Sequence, residues 1–510
     1  MTWKVIDTHA DVLAVHAVLL HNGKILYFSG DEHDRNQHYH TPPDIYHTRF
    51  FNCADFSVID TGCSPPFDSF CCGHSVLADG SVLIAGGTQN FDLQPGRHHM
   101  HFTGLRDSAV YNPRTDRWSR RADFNPEPTL QTGGGRWYPT LLTLGDGSVL
   151  ALGGHPGIDD TRHNNNSPER FTVDPKPTGK WSFVTGPDEA HEFVDHYPRA
   201  HVLHDGTVFL ASPANVDKIN YRLDPFNGAY TPVCAAPADS LYSAYFSSSV
   251  MLPLRPGSYD KPRFLVCGGV TPMLLDIAAP NPHWTPTGPR SLDPPLPRWF
   301  LNAVLTPLGE VFVTGGVASE SETDDSGVLE TEQYDPENDT WSVLPPASRV
   351  RNYHSVAMLM PDGRIWAAGS NADARESFDP DRPQPAWLPD GWGNRDLYIE
   401  IYTPDYFDKH RPDIFYHDKR VRYGNPRLTL RTTDVDSIDQ VAILRVGATT
   451  HSFNVDQRYI ELDFDRGSTK GELVAHIPDS CNIAVPGYYL VFVITKDRVP
   501  SVGRFVRVGP

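Results

Sequence analysis

Three short phrases carry the most reactive side chains of this chain: Phe-Cys-Cys-Gly-His at 70–74, Gly-Arg-Trp-Tyr-Pro at 135–139 and Arg-Asn-Tyr-His-Ser at 351–355. Each directly precedes a strand-turn-strand pattern, so each would deliver its side chains to a corresponding point of a repeating structure. Thiol, phenol and imidazole gathered that way form a donor set suited to Cu(II), since imidazole and phenolate both bind that ion well. The adjacent Cys71 and Cys72 need an explanation of their own, because neighbouring extended residues reach disulfide geometry only with strain. The same residues also admit a packing interpretation. A tyrosine at a strand start ordinarily buries its ring and hydrogen-bonds its hydroxyl, and scattered thiols behave as small hydrophobes. The histidine-rich phrase Gly-Arg-His-His-Met-His at 96–101 lacks partner spacing and reads as an exposed loop. On residue types alone, metal centre and packing both stay open.

The elements that must position these residues recur. "LLHNGKILYFSG", "VLADGSVLIAGG", "TLGDGSVLALGG", "VLHDGTVFLASP", "VLTPLGEVFVTGG" and "MLMPDGRIWAAGS" are variants of one strand-turn-strand phrase, and "SSSVMLPLRPGSYDKPRFLVCGG" is a seventh copy with a longer turn. The Asp-Gly or Asn-Gly step predicts a two-residue hairpin turn. From Gly23 to Gly363 the mean spacing is about 57 residues, near the ~50 of a kelch-type blade. A second phrase follows several hairpins ("AVYNPRTDRW", "FTVDPKPTGKW", "YRLDPFNGAY", "EQYDPENDTW") and predicts an outer strand pair turning at Asx-Pro. One four-stranded blade cannot bury both faces alone, whereas a ring covers each with two neighbours. The fold expected is all-β: a seven-bladed kelch-type propeller over residues 1–405, followed at 406–510 by an immunoglobulin-like β-sandwich built from "PRLTLRTT", "QVAILRV", "YIELDF" and "YYLVFVI".

Composition narrows the partners. With 44 Lys and Arg against 63 Asp and Glu, the net charge of −19 disfavours nucleic acid. No apolar run approaches the ~18 residues of a membrane span. The opening "MTWKVIDTHADVLAV" lacks the basic-then-apolar pattern of a signal peptide, which as read points to the cytoplasm, or to the outside if a leader has been removed. Seven cysteines without a Cys-x-x-Cys pair favour free or specially used thiols. The oligomeric state is not fixed by the sequence, and a monomer satisfies it.

The chain resembles the galactose oxidase and glyoxal oxidase family of mononuclear copper radical oxidases. The resemblance rests on five phrases in register: "DSFCCGH", "GRWYPTLLTLGDG", "RVRNYHSVAMLMPDGR", "GATTHSFNVDQR" and "VPGYYLVFVITKDRVPSV". It implies that Cys71 is joined through sulfur to the ring of Tyr138, the equatorial ligand and radical site, with Cys72 a bystander. Tyr353 would be the axial ligand and general base, and His354 and His451 the imidazole ligands, the latter on a sandwich hairpin reaching into the channel. The implied cofactors are Cu(II) and the Cys71–Tyr138 thioether. The implied reaction takes a primary alcohol or small hydrated aldehyde plus O2 to the aldehyde or carboxylic acid plus H2O2: the substrate hydroxyl gives its proton to Tyr353, and its carbon a hydrogen atom to the Tyr138 radical.

Departures from galactose oxidase point to the glyoxal-oxidase-like bacterial branch. Where the sugar enzyme has a tryptophan stacked on its cross-linked tyrosine, this chain has His155 and Pro156. Trp137, next to Tyr138, is expected on the opposite face by strand alternation and therefore to be structural. Pro198 occupies the position of the sugar-binding arginine, and Arg199, one residue on, is expected on the wrong face. Nothing here matches the sugar enzyme's N-terminal carbohydrate-binding module.

Overall fold

The Asx-Gly phrases fold as inner hairpins of four-stranded antiparallel blades arranged around a channel, seven in all. The computed structural model describes residues 1–30, 48–90, 103–126, 133–156, 164–173, 178–184, 196–211, 218–237, 247–318, 327–371 and 396–510. Blade three shows the pattern, running outward from the channel as Thr140–Thr143, Val149–Leu152, Glu169–Thr172 and Lys180–Phe183. The inner two strands of the blade are fully buried apolar runs because neighbouring blades cover both faces.

The inner turns are one residue longer than the sequence predicted. In blade three the Leu144 N–H bonds the Ser148 carbonyl at 2.8 Å and the Gly147 N–H returns to the Leu144 carbonyl at 3.0 Å. This is a type I turn closed by a bulge, and Gly147 takes the left-handed φ of +84° that the bulge needs. In the outer hairpins of blades two and six the Tyr111 and Tyr334 hydroxyls each donate to the turn aspartate, Asp116 and Asp339, at 2.8 Å.

Blade seven is completed by the start of the chain. Thr2–His9 pairs antiparallel with Tyr398–Thr403 and supplies the outermost strand, so the ring is closed by hydrogen bonds between its two ends. Beyond the ring, eight strands form the β-sandwich-like region. Arg458–Arg466 pairs with Ile438–Arg445 through its first half and with Glu472–His476 through its second, which folds one hydrogen-bonded sheet over on itself.

Two devices hold the inner ends of the blades. The first is a buried ion pair repeated in blades three, six and seven: Arg136 with Glu169 at 3.3 Å, Arg298 with Glu332 at 3.1 Å and Arg351 with Glu400 at 3.0 Å. Each arginine also donates to the carbonyl of the first residue after the second inner strand pair's apolar run, Gly153, Gly315 and Gly369 respectively. Burial keeps the Glu169 carboxyl above the usual carboxylate range despite Arg136, so these pairs lock geometry at some electrostatic cost. The second device is the hairpin Ala448–Thr450 and Phe453–Asn454, which adds to the inner edge of blade one with Ala17 opposite Thr449. Directly after it, Asp456 accepts the Val76 N–H of blade two at 2.7 Å, Gln457 accepts the Leu305 N–H of blade six at 3.0 Å, and Arg458 donates to the Val202 carbonyl of blade four at 2.6 Å. Inner-edge backbone groups that a wider channel would leave to water are thereby paired.

Candidate functional site

One backbone device recurs where the chain enters the inner strands. Cys71, Tyr138, Phe300 and His354, each two residues before its strand in blades two, three, six and seven, have φ of 61°, 66°, 60° and 60°. Tyr197, three residues before the inner strand of blade four, has φ 44°, and so has His451 at the tip of the sandwich hairpin. Left-handed backbone at a non-glycine residue costs of order 1–3 kcal/mol and persists only where the surroundings impose it. Here it turns each side chain in to a common buried cluster of Leu13, Val15, Phe70, Cys71, Trp137, Tyr138, Tyr197, Phe300, Val317 and Tyr353. Gly369 makes room for it, since a Cβ there would lie 2.5 Å from the His354 carbonyl oxygen.

All five residues singled out in the sequence meet in this cluster. The donor atoms of Cys71, His354 and His451 lie within 4.8 Å of one another, with Cys71 Sγ 3.8 Å from His451 Nε2. The hydroxyls of Tyr138 and Tyr353 are hydrogen-bonded to each other. The His451 ring lies 4.7 Å from that of Tyr138, 5.3 Å from Tyr353 and 4.9 Å from His354, centroid to centroid. The main chain ties Cys71 to Tyr138, whose N–H donates to the Cys71 carbonyl at 3.0 Å. Cys72 turns the other way into the main core, and burial pushes its thiol well above the usual range.

The hydrogen bonds fix both imidazole tautomers. Thr450 Oγ1 donates to the Val15 carbonyl at 3.0 Å, so it accepts from His451 Nδ1 at 2.6 Å. Asn371 Oδ1 likewise accepts from His354 Nδ1 at 3.2 Å. With protons on Nδ1, both rings offer the Nε2 lone pair, the arrangement in which a backbone-anchored neighbour orients a metal-binding histidine. The Tyr353 hydroxyl is pushed well above the usual phenol range, first by burial and then by the Cys71 thiol.

Trp137 corrects the strand-alternation expectation. Its ring stacks on Tyr138 at 3.8 Å between centroids and 20° between planes. Alternation fails because Tyr138 is left-handed rather than extended, and Trp137 instead bridges to His155 through backbone bonds in both directions. His155 therefore supports the stacking ring rather than replacing it. Arg199 is buried and spends its guanidinium on the main chain, donating to the Ser247 carbonyl at 2.6 Å and the His451 carbonyl at 2.8 Å. The phrase at 96–101 lies outside the described residues.

Three residues of the site were not picked from the sequence. Tyr197 stacks on His451 at 4.3 Å, leans on Tyr138 at 4.7 Å and donates its hydroxyl to the Cys72 carbonyl at 2.9 Å. Phe70 meets His354 edge-on at 5.3 Å, and Phe300 packs on Tyr353 at 5.1 Å. The signal was present as an aromatic two or three residues before the inner strands of blades two, three, four, six and seven, in "FCC", "RWY", "HYP", "RWF" and "NYH".

Comparison with known proteins converges on one group. The profile described as Glyoxal oxidase N-terminus matches residues 66–406, and that described as Galactose oxidase-like, Early set domain matches 411–508. A galactose oxidase of Gibberella zeae is 26% identical over 86% of this chain, which spans 61% of that protein's length. An aldehyde oxidase GLOX of Vitis pseudoreticulata is 27% identical over 87% of this chain and 82% of its own. Among solved structures, a fungal alcohol oxidase in complex with copper shares the fold over 99% of both chains, with a TM-score of 0.76 at 20% identity.

Proposed function

Since the chain belongs to the glyoxal oxidase family, whose profile covers two thirds of it, we propose that it is a copper radical oxidase of primary alcohols or small hydrated aldehydes, reducing O2 to H2O2. The observation that carries this reading is the convergence of Tyr138, Tyr353, His354, His451 and Cys71 from three blades and the sandwich on one buried point. The donor set fits copper. Two imidazoles with inward Nε2 lone pairs and two phenols that can ionise would balance a divalent charge, and burial this deep disfavours phenolate unless a cation is beside it. When bound, copper supplies a Lewis-acidic seat for the substrate hydroxyl and a one-electron acceptor that the tyrosyl radical complements to two.

The chain's own residues carry the remaining roles. Cys71 and Tyr138 join by a carbon–sulfur bond, losing the thiol hydrogen and one ring hydrogen as two electrons pass to dioxygen. Tyr138 in its radical form takes a hydrogen atom from the substrate carbon. Tyr353 takes the hydroxyl proton at its phenolic oxygen; the burial that raises its pKa makes its anion a stronger base. Trp137 covers the Tyr138 ring and keeps water from the radical. His354 and His451 hold their tautomers through Asn371 and Thr450. The propeller, residues 1–405, contributes all but two of these side chains, and the sandwich, 406–510, contributes Thr450 and His451. Galactose is disfavoured because Arg199 is committed to holding the hairpin carbonyl.

The test is to load the protein with Cu(II) and supply glyoxal, methylglyoxal and simple primary alcohols under air. Hydrogen peroxide formed one for one with oxygen consumed is expected. Copper uptake without peroxide from any of them would make it a copper-binding propeller instead.

A further inference from the structure

The hairpin that brings His451 into the channel makes its turn with residues that do not favour it. Thr450 pairs with Phe453 across the turn, so His451 and Ser452 are its two central residues, with φ of 44° and 66°. Two-residue turns that are left-handed at both centres are ordinarily built from Asn-Gly, Asp-Gly or Gly-Gly. His-Ser is none of these, and both residues are buried. A turn of this kind persists only where its surroundings impose it. Its direction has consequences, because one of its two side chains is an imidazole of the central cluster and the backbone angles of residue 451 decide where that ring points.

Arg199, which is 1% exposed, holds the turn by its main chain. Its Nη2 donates to the His451 carbonyl at 2.8 Å and, together with Nε, to the Ser247 carbonyl at 2.6 and 2.9 Å. Its Nη1 donates to the Tyr197 carbonyl at 3.0 Å. One planar fork thereby joins the entry of blade four, the entry of blade five and the hairpin tip, a span suited to the fixed donor directions of a guanidinium and not to a single ammonium. The guanidinium also lies 5.1 Å from the ring centroid of Phe453, the residue that closes the turn. Thr450, before the turn, is held instead from blade one, through the Val15 carbonyl. The arginine is particular to blade four: the residues directly before the inner strands of blades one, two, three, five, six and seven are Val15, Cys72, Pro139, Ser247, Leu301 and Ser355. Blades four and five, which give no donor to the central cluster, are in this way tied to the backbone of one.

We propose that Arg199 is a positioning residue of the metal site: by holding the His451 carbonyl it fixes the left-handed turn and so aims the His451 imidazole at the other donors. The metal in this statement rests on the copper reading above, whereas the hold on the turn stands without it. R199M and R199K are made beside R298M, which removes a buried guanidinium whose carbonyl partners, Gly315 and Glu330, lie in blade six. Hydrogen exchange at the amides of residues 450–453 is read in the metal-free proteins. Cu(II) affinity against a competing chelator and the parallel hyperfine splitting of the Cu(II) complex are read by titration and electron paramagnetic resonance. R199M is expected to exchange at least about tenfold faster at 450–453, to bind Cu(II) roughly 10–100-fold more weakly and to shift the hyperfine splitting. R298M is expected to match the wild type in all three, and R199K to fall between R199M and the wild type. Wild-type exchange in folded R199M, faster exchange with affinity and hyperfine splitting unchanged, or the same loosening in R298M would each overturn the proposal. A wild type that takes up no Cu(II) would sink the copper reading, and exchange at 450–453 alone would then decide whether Arg199 holds the turn. Should R199M fail to fold, R199K is read in its place, and wild-type exchange and hyperfine splitting there contradict the assignment.

Discussion

Blades three and six present the same turn to the channel and differ in what it carries. Both open with a buried arginine paired to a third-strand glutamate, then a tryptophan bridged to the residue after a double glycine, then an aromatic in the left-handed region. In blade three that aromatic is Tyr138, with Trp137 stacked on it at 3.8 Å. In blade six it is Phe300, and Trp299 stands 6.4 Å away at 48°. The difference lies in the neighbours. His196 meets both Trp137 and Tyr138 edge-on, at 5.5 and 5.6 Å, and Tyr197 leans on Tyr138 at 4.7 Å. The repeat thus supplies direction, while the hydroxyl and the flanking rings supply chemistry.

The sharpest way to break the comparison is to make the blades alike. Y138F gives blade three the side chain of blade six, and is expected to lower turnover by roughly 10⁴-fold or more, the scale of losing one member of an interdependent set; oxygen uptake measures it. F300Y should leave turnover within a few-fold, because a phenol there has neither the Cys71 neighbour nor the stacked tryptophan.

Removing the shared clamp tests the shared part. E169L strands the buried Arg136, and E332L strands both Arg298 and Arg290; each should cost at least about 3–5 kcal/mol in denaturant unfolding. Only E169L should also disturb the optical spectrum of the proposed Tyr138 radical, since its arginine directly precedes Trp137 and Tyr138. Similar spectra in the two variants would show that the clamp does not act through those rings.

Smaller effects separate the tryptophans. W137L forfeits an aromatic stack worth ~0.5–1.5 kcal/mol, and should shorten the lifetime of the proposed Tyr138 radical about tenfold, whereas W299L should not change it.

Much of this comparison was legible in the sequence. Asx-Gly hairpins with buried apolar flanks gave the blades, because turn chemistry and strand burial are local properties. The gathering of Cys71, Tyr138, Tyr353, His354 and His451 was legible only through their phrases in register, since a lone tyrosine or histidine before a strand looks the same whether it packs or ligates. Trp137 was misplaced because the left-handed φ at Tyr138 breaks strand alternation, and no residue type announces that break. The closing strand Thr2–His9 was hidden because its partner, Tyr398–Thr403, lies at the other end of the ring. Nothing local in "DQR" reveals that Asp456, Gln457 and Arg458 fan out to three blades.

The smallest effect concerns blade four, whose inner strand carries a buried histidine that blades three and six lack. Burial, aided by Arg458 and Arg199, pushes His201 down to about 3. Its folded pKa lies below the unfolded value, so protons bind the unfolded chain first and stability falls as pH drops below about 6.5, the loss ending near 3. Between pH 7 and 6 the fall from this residue is about 0.7 kcal/mol. H201L should flatten the unfolding profile by that amount.

The central claim is that a sulfur of blade two and a phenol of blade three form one cofactor. Mass spectrometry of the peptides containing Cys71 and Tyr138, taken after aerobic copper loading, tests it most directly. A single joined species lighter by two hydrogens than the sum of the two is predicted; two separate, intact peptides from fully copper-loaded protein would contradict it.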